Sequence, residues 1–243
     1  MLKKILKTVL SAIYRLLLRP SIRYVFPITV DRYPLLGYGD REKIFFYAME
    51  FAAGGEKLGG DYLEFGVGNG GSFIIAFHFA KKLEKLNSMK FYAFDSFRGL
   101  PEPKEIDLEE KIFKKGEYMC SEDEFLENIR KNGVDLNRVI TVPGWYKEVL
   151  NKETKDKLQI QRAAVVFIDC DLYESANLVL NFITDYLVDG SVLIFDDWFC
   201  FRGNSNKGEQ KAFGEWLRKN PEIKVSEFYK FSWHGNSFII HKD

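Results

Sequence analysis

Apolar positions along the chain change their period near residue 61. Leu2, Ile5, Leu6, Val9, Leu10, Ile13, Leu16 and Leu17 recur at helical spacing and stop before Pro20, which predicts an amphipathic helix within residues 1–26. A second helix is expected over about 40–54, opening near Asp40 and closing at the Gly54-Gly55 pair. Beyond it, short runs rich in Val, Ile and Phe occupy 61–66, 90–95, 138–142, 163–169 and 191–196, most of them closing on Gly or Asp. Helical patterns lie between. Phe73, Ala76, Phe77, Ala80 and Leu83 share one face, as do Ala176, Val179, Leu180, Ile183 and Leu187. Such alternation predicts an α/β domain whose parallel sheet is covered by helices on both faces. Two closing runs, 223–229 and 236–241, flank Trp233-His234-Gly235 and read as a terminal hairpin.

Residues 96–137 break this rhythm. A charged run with Pro101 and Pro103 leads into a helix opened by Ser121, with Glu124 three residues on as a capping box. A connection of this length inside a compact domain reads as a lid-like insertion that closes over a ligand.

Composition narrows the partners. Formal net charge is zero, so no global field favours nucleic acid or an acidic partner. Residues 1–30 nevertheless hold Lys3, Lys4, Lys7, Arg15, Arg19 and Arg23 and no acid. The basic helix of 1–26 is expected either to pack on its own domain or on a second subunit of a homo-oligomer, or to make a peripheral contact with an anionic membrane surface. Residues 27–243 form the main domain. No run approaches the ~18 apolar residues of a membrane span. Arg15 and Arg19 interrupt the apolar start, and no small-residue cleavage site follows. Cys120, Cys170 and Cys200 are far apart and lack C-x-x-C spacing, as in a reducing compartment. The expected location is cytoplasmic, at the inner membrane face if the basic helix binds lipid.

Tyr62-Leu63-Glu64-Phe65-Gly66-Val67-Gly68-Asn69-Gly70-Gly71-Ser72 is a strand, a glycine turn and a helix start. Glycine permits positive φ and close approach of a ligand to the backbone, and the helix N-terminus offers free N–H groups to an anion. Gly66-x-Gly68-x-x-Gly71 satisfies a dinucleotide pattern, whereas Gly66-x-Gly68-x-Gly70 satisfies that of S-adenosylmethionine (SAM) proteins. Glu64 tilts the choice toward SAM, because a carboxylate there repels a pyrophosphate and suits an ammonium or sulfonium. Asp95, ending the second strand, can accept ribose hydroxyls in either case.

Asp169 and Asp171 follow the fourth strand, and Asp196 and Asp197 the fifth. Neighbouring strands open their C-terminal ends on one ligand crevice, so these four carboxylates are expected to converge. Their mutual repulsion calls for a cation, and a hard divalent ion such as Mg²⁺ suits oxygen donors. His78, His234 and His241 are spread through a helix and the hairpin and are expected to be structural.

Glu64-Phe65-Gly66-Val67-x-x-Gly70-Gly71-Ser72, Phe94-Asp95-Ser96-Phe97-x-Gly99-Leu100-Pro101, Asp169-x-Asp171-Leu172-Tyr173-Glu174-Ser175 and Asp196-Asp197 together resemble the macrocin O-methyltransferase (TylF-type) family from about residue 58 to 220. The resemblance implies a Rossmann-like class I methyltransferase fold, with a seven-stranded, mostly parallel sheet and an antiparallel last strand. It implies SAM as methyl donor and a sugar or glycoside hydroxyl as acceptor, whether small molecule or glycan. It also implies Asp169, Asp196 and Asp197 as Mg²⁺ ligands and Asp171 as general base. Cys170 departs from the family, which favours a small residue there. The expected cofactor contacts are Glu64, Gly66, Gly68, Gly70, Gly71, Ser72 and Asp95, with Ser121 and Trp145 added from the lid and the strand beyond it.

The activated methyl of SAM leaves an enzyme two tasks, alignment and removal of the acceptor proton, of which alignment can supply roughly 7–11 kcal/mol. A catechol-type O-methyltransferase acting on a small aromatic diol is the alternative enzyme, and a non-catalytic SAM-binding protein is the alternative outside enzymes. A nicotinamide dehydrogenase is disfavoured, as no Tyr-x-x-x-Lys pair follows the sheet.

Overall fold

The computed structural model of the chain describes residues 38–54, 59–103, 107 and 113–242. The basic helix expected within 1–26 lies outside them. The chain divides into two compact units, 1–43 and 44–243, and the architecture below is that of the second.

Its strands are β1 (Asp61–Phe65), β2 (Phe91–Asp95), β3 (Val139–Pro143), β4 (Ala163–Ile168), β5 (Leu187–Phe195), β6 (Ile223–Glu227) and β7 (Asn236–Lys242). They form one seven-stranded sheet in the order β3-β2-β1-β4-β5-β7-β6. β1 to β5 pair in parallel, and β7 runs antiparallel to both β5 and β6. The expected terminal hairpin thus inserts its second strand next to β5. The chain winds outward from β1 to β3, then returns to place β4 on the other side of β1. The crevice of such a sheet opens at that reversal, beyond the C-terminal ends of β1 and β4.

The α-helices among the described residues are α1 (Asp40–Gly54), α2 (Gly71–Ala80), α3 (Glu122–Lys131), α4 (Tyr146–Val149), α5 (Lys152–Leu158), α6 (Tyr173–Ile183) and α7 (Gly208–Lys219). The central strands β1, β2, β4 and β5 are largely buried on both faces, and alternation assigns each residue to a layer. Tyr62, Phe91 and Phe167 meet Phe45 of α1 and Phe73 of α2 through edge-to-face and tilted rings. Leu63, Phe65, Phe94, Val166, Ile168, Leu193 and Phe195 face the other way, into a core shared with Val179 and Leu180 of α6 and Phe213 and Trp216 of α7. Two aromatic-rich layers therefore clamp the sheet and fix where its strand ends lie.

One boundary moves. Leu187, expected on a helical face, begins β5 opposite Ala163. Helix α6 has ended at Ile183, and a 3₁₀ turn over Thr184–Tyr186 reorients the chain. Among the described residues no helix is long and apolar enough to cross a membrane.

Candidate active site

At the end of β1 the backbone turns sharply at Gly66, with φ 88°. A Cβ there would lie 1.8 Å from the Asp169 carbonyl oxygen, so only glycine lets the loop pass the chain leaving β4. The loop is then pinned from β2. Asp95 Oδ2 accepts the N–H groups of Val67 at 2.9 Å and Gly68 at 3.3 Å, while Oδ1 accepts that of Phe97 at 2.8 Å. Gly70, left-handed at φ 84° and ψ 17°, occupies the capping position of α2 and has no side chain to satisfy the helix's first N–H groups.

Glu64 and Ser72 form the floor of this loop. Glu64 is fully buried; its Oε2 accepts the Tyr62 hydroxyl and its Oε1 the Ser72 hydroxyl, both at 2.5 Å. These bonds tie β1 to α2. Residues 62 and 64 share one side of the strand, which brings the phenol and the acid together.

Helix α3, within the long 96–137 connection, packs on the glycine loop. Ser121 caps that helix by the predicted box: its Oγ accepts the Glu124 N–H, and Glu124 Oε2 accepts the Ser121 N–H at 3.0 Å. Asn128 Nδ2 donates to the Asn69 carbonyl at 2.5 Å. A Cβ at Gly70 would meet Ile129 Cγ2 at 2.6 Å, so α3 closes directly over the turn. Burial, followed by the Glu124 and Asp95 charges, pushes the Cys120 thiol upward. Trp145, partly exposed, begins α4 immediately after Gly144, whose N–H is held by the Asp95 carbonyl at 2.9 Å. The start of α4 is thus tied to the end of β2, while the Ser121 hydroxyl is engaged in its cap.

Beyond β4 and β5 the sheet bonding continues: Asp169 N–H donates to Phe65 O at 2.9 Å and Asp196 N–H to Ile168 O at 3.0 Å. This keeps the two acidic turns side by side. Asp169, Asp171 and Asp197 each bring one carboxylate oxygen within 4.8 Å of the others. Asp171 has φ 61°, a left-handed conformation uncommon outside glycine, and is 6% exposed. Burial, followed by the charges of Asp197 and Asp169, holds its carboxyl well above the usual carboxylate range. Cys170, between two of the acids, is buried, so the departure from a small residue is absorbed in the core.

Asp196 does not join that trio. Consecutive residues leaving a strand diverge: the Asp196 carboxylate approaches His234, Nδ1 to Oδ2 3.8 Å. The same Nδ1 lies 2.6 Å from the Asp196 carbonyl oxygen. The predicted ligand set Asp169, Asp196 and Asp197 and the predicted base Asp171 are therefore neighbours, with Asp171 and Asp196 exchanging places in the tightest group.

Three further residues belong to the site. Cys200 Sγ donates to Asp197 Oδ1 at 3.0 Å. His234 braces Asp196 from the turn before β7. Glu209, in the first turn of α7, is 1% exposed and accepts the Asp197 N–H at 3.1 Å through Oε2. Burial, then Asp197, Asp196, Asp169 and Asp171, drive its carboxyl well above the ordinary range. Position 209 shares a helical face with Ala212, Phe213 and Trp216, and an acid on an apolar face was the sign available in the sequence.

A family model for macrocin-O-methyltransferase (TylF) matches residues 47–213, a span that holds the glycine loop and all five acids. The chain belongs to this family. It is 28% identical over 152 residues to the demethyldecarbamoylnovobiocin O-methyltransferase of Streptomyces niveus, covering 60% of this chain and 56% of that one. It is also 28% identical over 144 residues to the 8-demethyl-8-(2,3-dimethoxy-alpha-L-rhamnosyl)-tetracenomycin-C 4'-O-methyltransferase of Streptomyces olivaceus, covering 57% and 53%. The chain spans about half the length of these curated relatives. Among solved structures, the O-methyltransferase NovP superposes with TM-score 0.68 at 22% identity, over 84% of this chain and 80% of that one. CalS11, a calicheamicin methyltransferase, does so with TM-score 0.64 at 19% identity, over 92% and 88%. The family's fold, with its mostly parallel sheet and antiparallel last strand, is the one the motifs implied.

Proposed function

We propose that this chain transfers the methyl group of SAM to a hydroxyl of a sugar or glycoside, with a divalent cation, Mg²⁺ in the first instance, at the carboxylate centre. The observation that carries the reading is the contact of Gly66 with the Asp169 backbone, which joins the glycine loop and the acidic centre in one crevice. The acceptor class is supported by the Streptomyces olivaceus relative, named for O-methylation of a rhamnosyl-bearing tetracenomycin.

The donor set suits a hard cation. Its oxygens are carboxylates drawn together against their repulsion, and Asp169, less buried than its neighbours, leaves the centre open to solvent. Asp169 and Asp197 would hold the ion, with Asp196 as third ligand by family resemblance. When bound, the cation would grip the acceptor hydroxyl and lower its pKa. The glycine loop and Asp95 seat SAM, and the lid helix α3 excludes water from above. Asp171 takes the hydroxyl proton. The new O–CH₃ bond forms as the S–CH₃ bond breaks, leaving a neutral thioether, S-adenosylhomocysteine, and a protonated Asp171.

The test incubates the protein with methyl-labelled SAM and Mg²⁺ against nucleotide sugars, glycosides and catechols, with product identified by mass spectrometry. Sugar methylation that stops with EDTA is expected, and transfer confined to catechols would redirect the reading to an aromatic diol. Asp171→Asn should lower turnover ~10²–10⁴-fold and keep Mn²⁺ binding, whereas Asp196→Asn should lose it. The reverse pattern in binding would make Asp171 the ligand, and undiminished turnover in Asp171→Asn would end its role as base.

A further inference from the structure

Glu209 has a burial and a bonding pattern that no solvent-facing helix cap requires. Its Oε2 accepts the Asp197 N–H at 3.1 Å, while Oε1 is buried with no hydrogen-bond partner. An acid in the first turn is favoured by the helix dipole, but that benefit needs no burial, and an unsatisfied buried oxygen destabilises the fold. The side chain also stands among four further acids, whose charges act on it. An arrangement this unfavourable by itself calls for an account in what it does for its neighbour.

The neighbour is the turn that carries Asp197. Helix α7 grips it at two successive residues. Glu209 accepts from the Asp197 N–H, and Gln210 Nε2 donates to the Trp198 carbonyl at 2.6 Å. From the opposite side, His234 Nδ1 meets the Asp196 carbonyl oxygen, and the His234 carbonyl accepts the Phe199 N–H at 2.8 Å. The backbone of 196–199 is thus fixed from α7 on one side and from the turn before β7 on the other. Of these contacts, only that of Glu209 falls on the backbone of a residue in the tight carboxylate trio.

We propose that Glu209 is a positioning residue of the carboxylate centre: by holding the Asp197 N–H from behind, it aims the Asp197 carboxylate at Asp169 and Asp171 and so sets how tightly the centre binds a divalent cation. The inference rests on the metal-dependent reading above. Partners that orient a ligand in this way typically govern metal affinity by 10–100-fold.

The full-length protein is titrated with Mn²⁺ and followed by electron paramagnetic resonance, with S-adenosylhomocysteine affinity by calorimetry as the check on folding. Glu209→Met fills the space without an acceptor and should weaken Mn²⁺ binding about 10–100-fold with unchanged S-adenosylhomocysteine affinity. Glu209→Gln keeps an amide oxygen for the Asp197 N–H and should restore affinity to within about threefold of wild type. Glu209→Ala serves if the methionine cannot be accommodated. Wild-type Mn²⁺ affinity in a variant without an acceptor would overturn the inference. So would a glutamine variant as weak as the methionine one, because charge rather than positioning would then be at work. Absence of Mn²⁺ binding by the wild-type protein would instead remove the metal-dependent reading, and this inference with it.

Discussion

The glycine loop and the turns after β4 and β5 meet at the Gly66–Asp169 contact, and both are rich in acids. In the loop the acids are met by donors: Asp95 accepts three backbone N–H groups, and Glu64 accepts two hydroxyls. Across the contact, Asp169, Asp171 and Asp197 crowd within 4.8 Å, and Asp171 and Glu209 are both pushed well above the ordinary carboxylate range. The first region is a finished scaffold. The second is held together by the sheet and the two aromatic layers against its own electrostatics, which the proposed cation would relieve. What surrounds an acid, and not its mere presence, separates a structural carboxylate from a candidate ligand.

The comparison fails outright if the two regions can be pulled apart, and Gly66→Ala does this. The new Cβ would sit 1.8 Å from Asp169 O at a φ of 88°, where neither loop can yield without breaking sheet bonds. A loss of more than ~4 kcal/mol is expected, read by urea unfolding. A folded variant with the wild-type midpoint would show that the contact is not a constraint.

A pair of substitutions probes each region separately. In EDTA, Asp95→Ala leaves three N–H groups without their acceptor and should destabilise by about 1–3 kcal/mol. Asp171→Asn should stabilise the same metal-free protein by about 1–2 kcal/mol, because it removes one of the repelling charges, and asparagine tolerates positive φ. The pH dependence carries the same sign. The native protein keeps the Asp171 proton above the unfolded value of about 3.9, so this residue's contribution to stability falls as pH rises from there. Asp171→Asn should flatten that fall. Equal thermal shifts for the two variants would erase the contrast between the regions.

Much of this was legible in the sequence, and the exceptions have physical causes. Short runs rich in Val, Ile and Phe, most of them ending in Gly or Asp, located the first five strands, since a parallel strand covered on both faces reads as a nearly continuous apolar run. The start of β5 was hidden, because Asp189-Gly190 looks like a turn before the strand when it lies within it, at a Gly190 φ of 86°. Strand-end position brought Asp169, Asp171 and Asp197 together correctly, whereas Asp196 depended on a side-chain direction and on His234, which arrives from 38 residues away. Glu64 looked like a ligand contact from its spacing to the glycines. Its phenol partner two residues earlier on the same strand face was also visible, and Tyr62 donates to it.

The smallest effect concerns an acid that joins the two classes. Asp107, in the lid-like insertion, is 2% exposed and accepts the Tyr173 N–H at 3.0 Å, at the start of the helix that follows Asp169 and Asp171. Like Glu64 it has a backbone or hydroxyl donor; like Glu209 it has a buried oxygen without a partner. Burial raises its carboxyl to about 6, aided by the Glu174 charge and opposed by the Tyr173 and Glu174 N–H groups. The native state therefore keeps this proton between about 3.9, the unfolded value, and about 6. Over that window the folded protein binds more protons than the unfolded one, so Asp107's contribution to stability declines as pH rises and levels off above 6. Asp107→Asn retains a carbonyl oxygen for Tyr173 and cannot ionise. Its stability relative to wild type should climb by on the order of 1 kcal/mol between pH 4 and 6.5 and then stay flat. Urea midpoints in EDTA at several pH values test this, and the contribution of Asp171 cancels in the difference. A difference independent of pH would place Asp107 with the fully satisfied acids of the glycine loop.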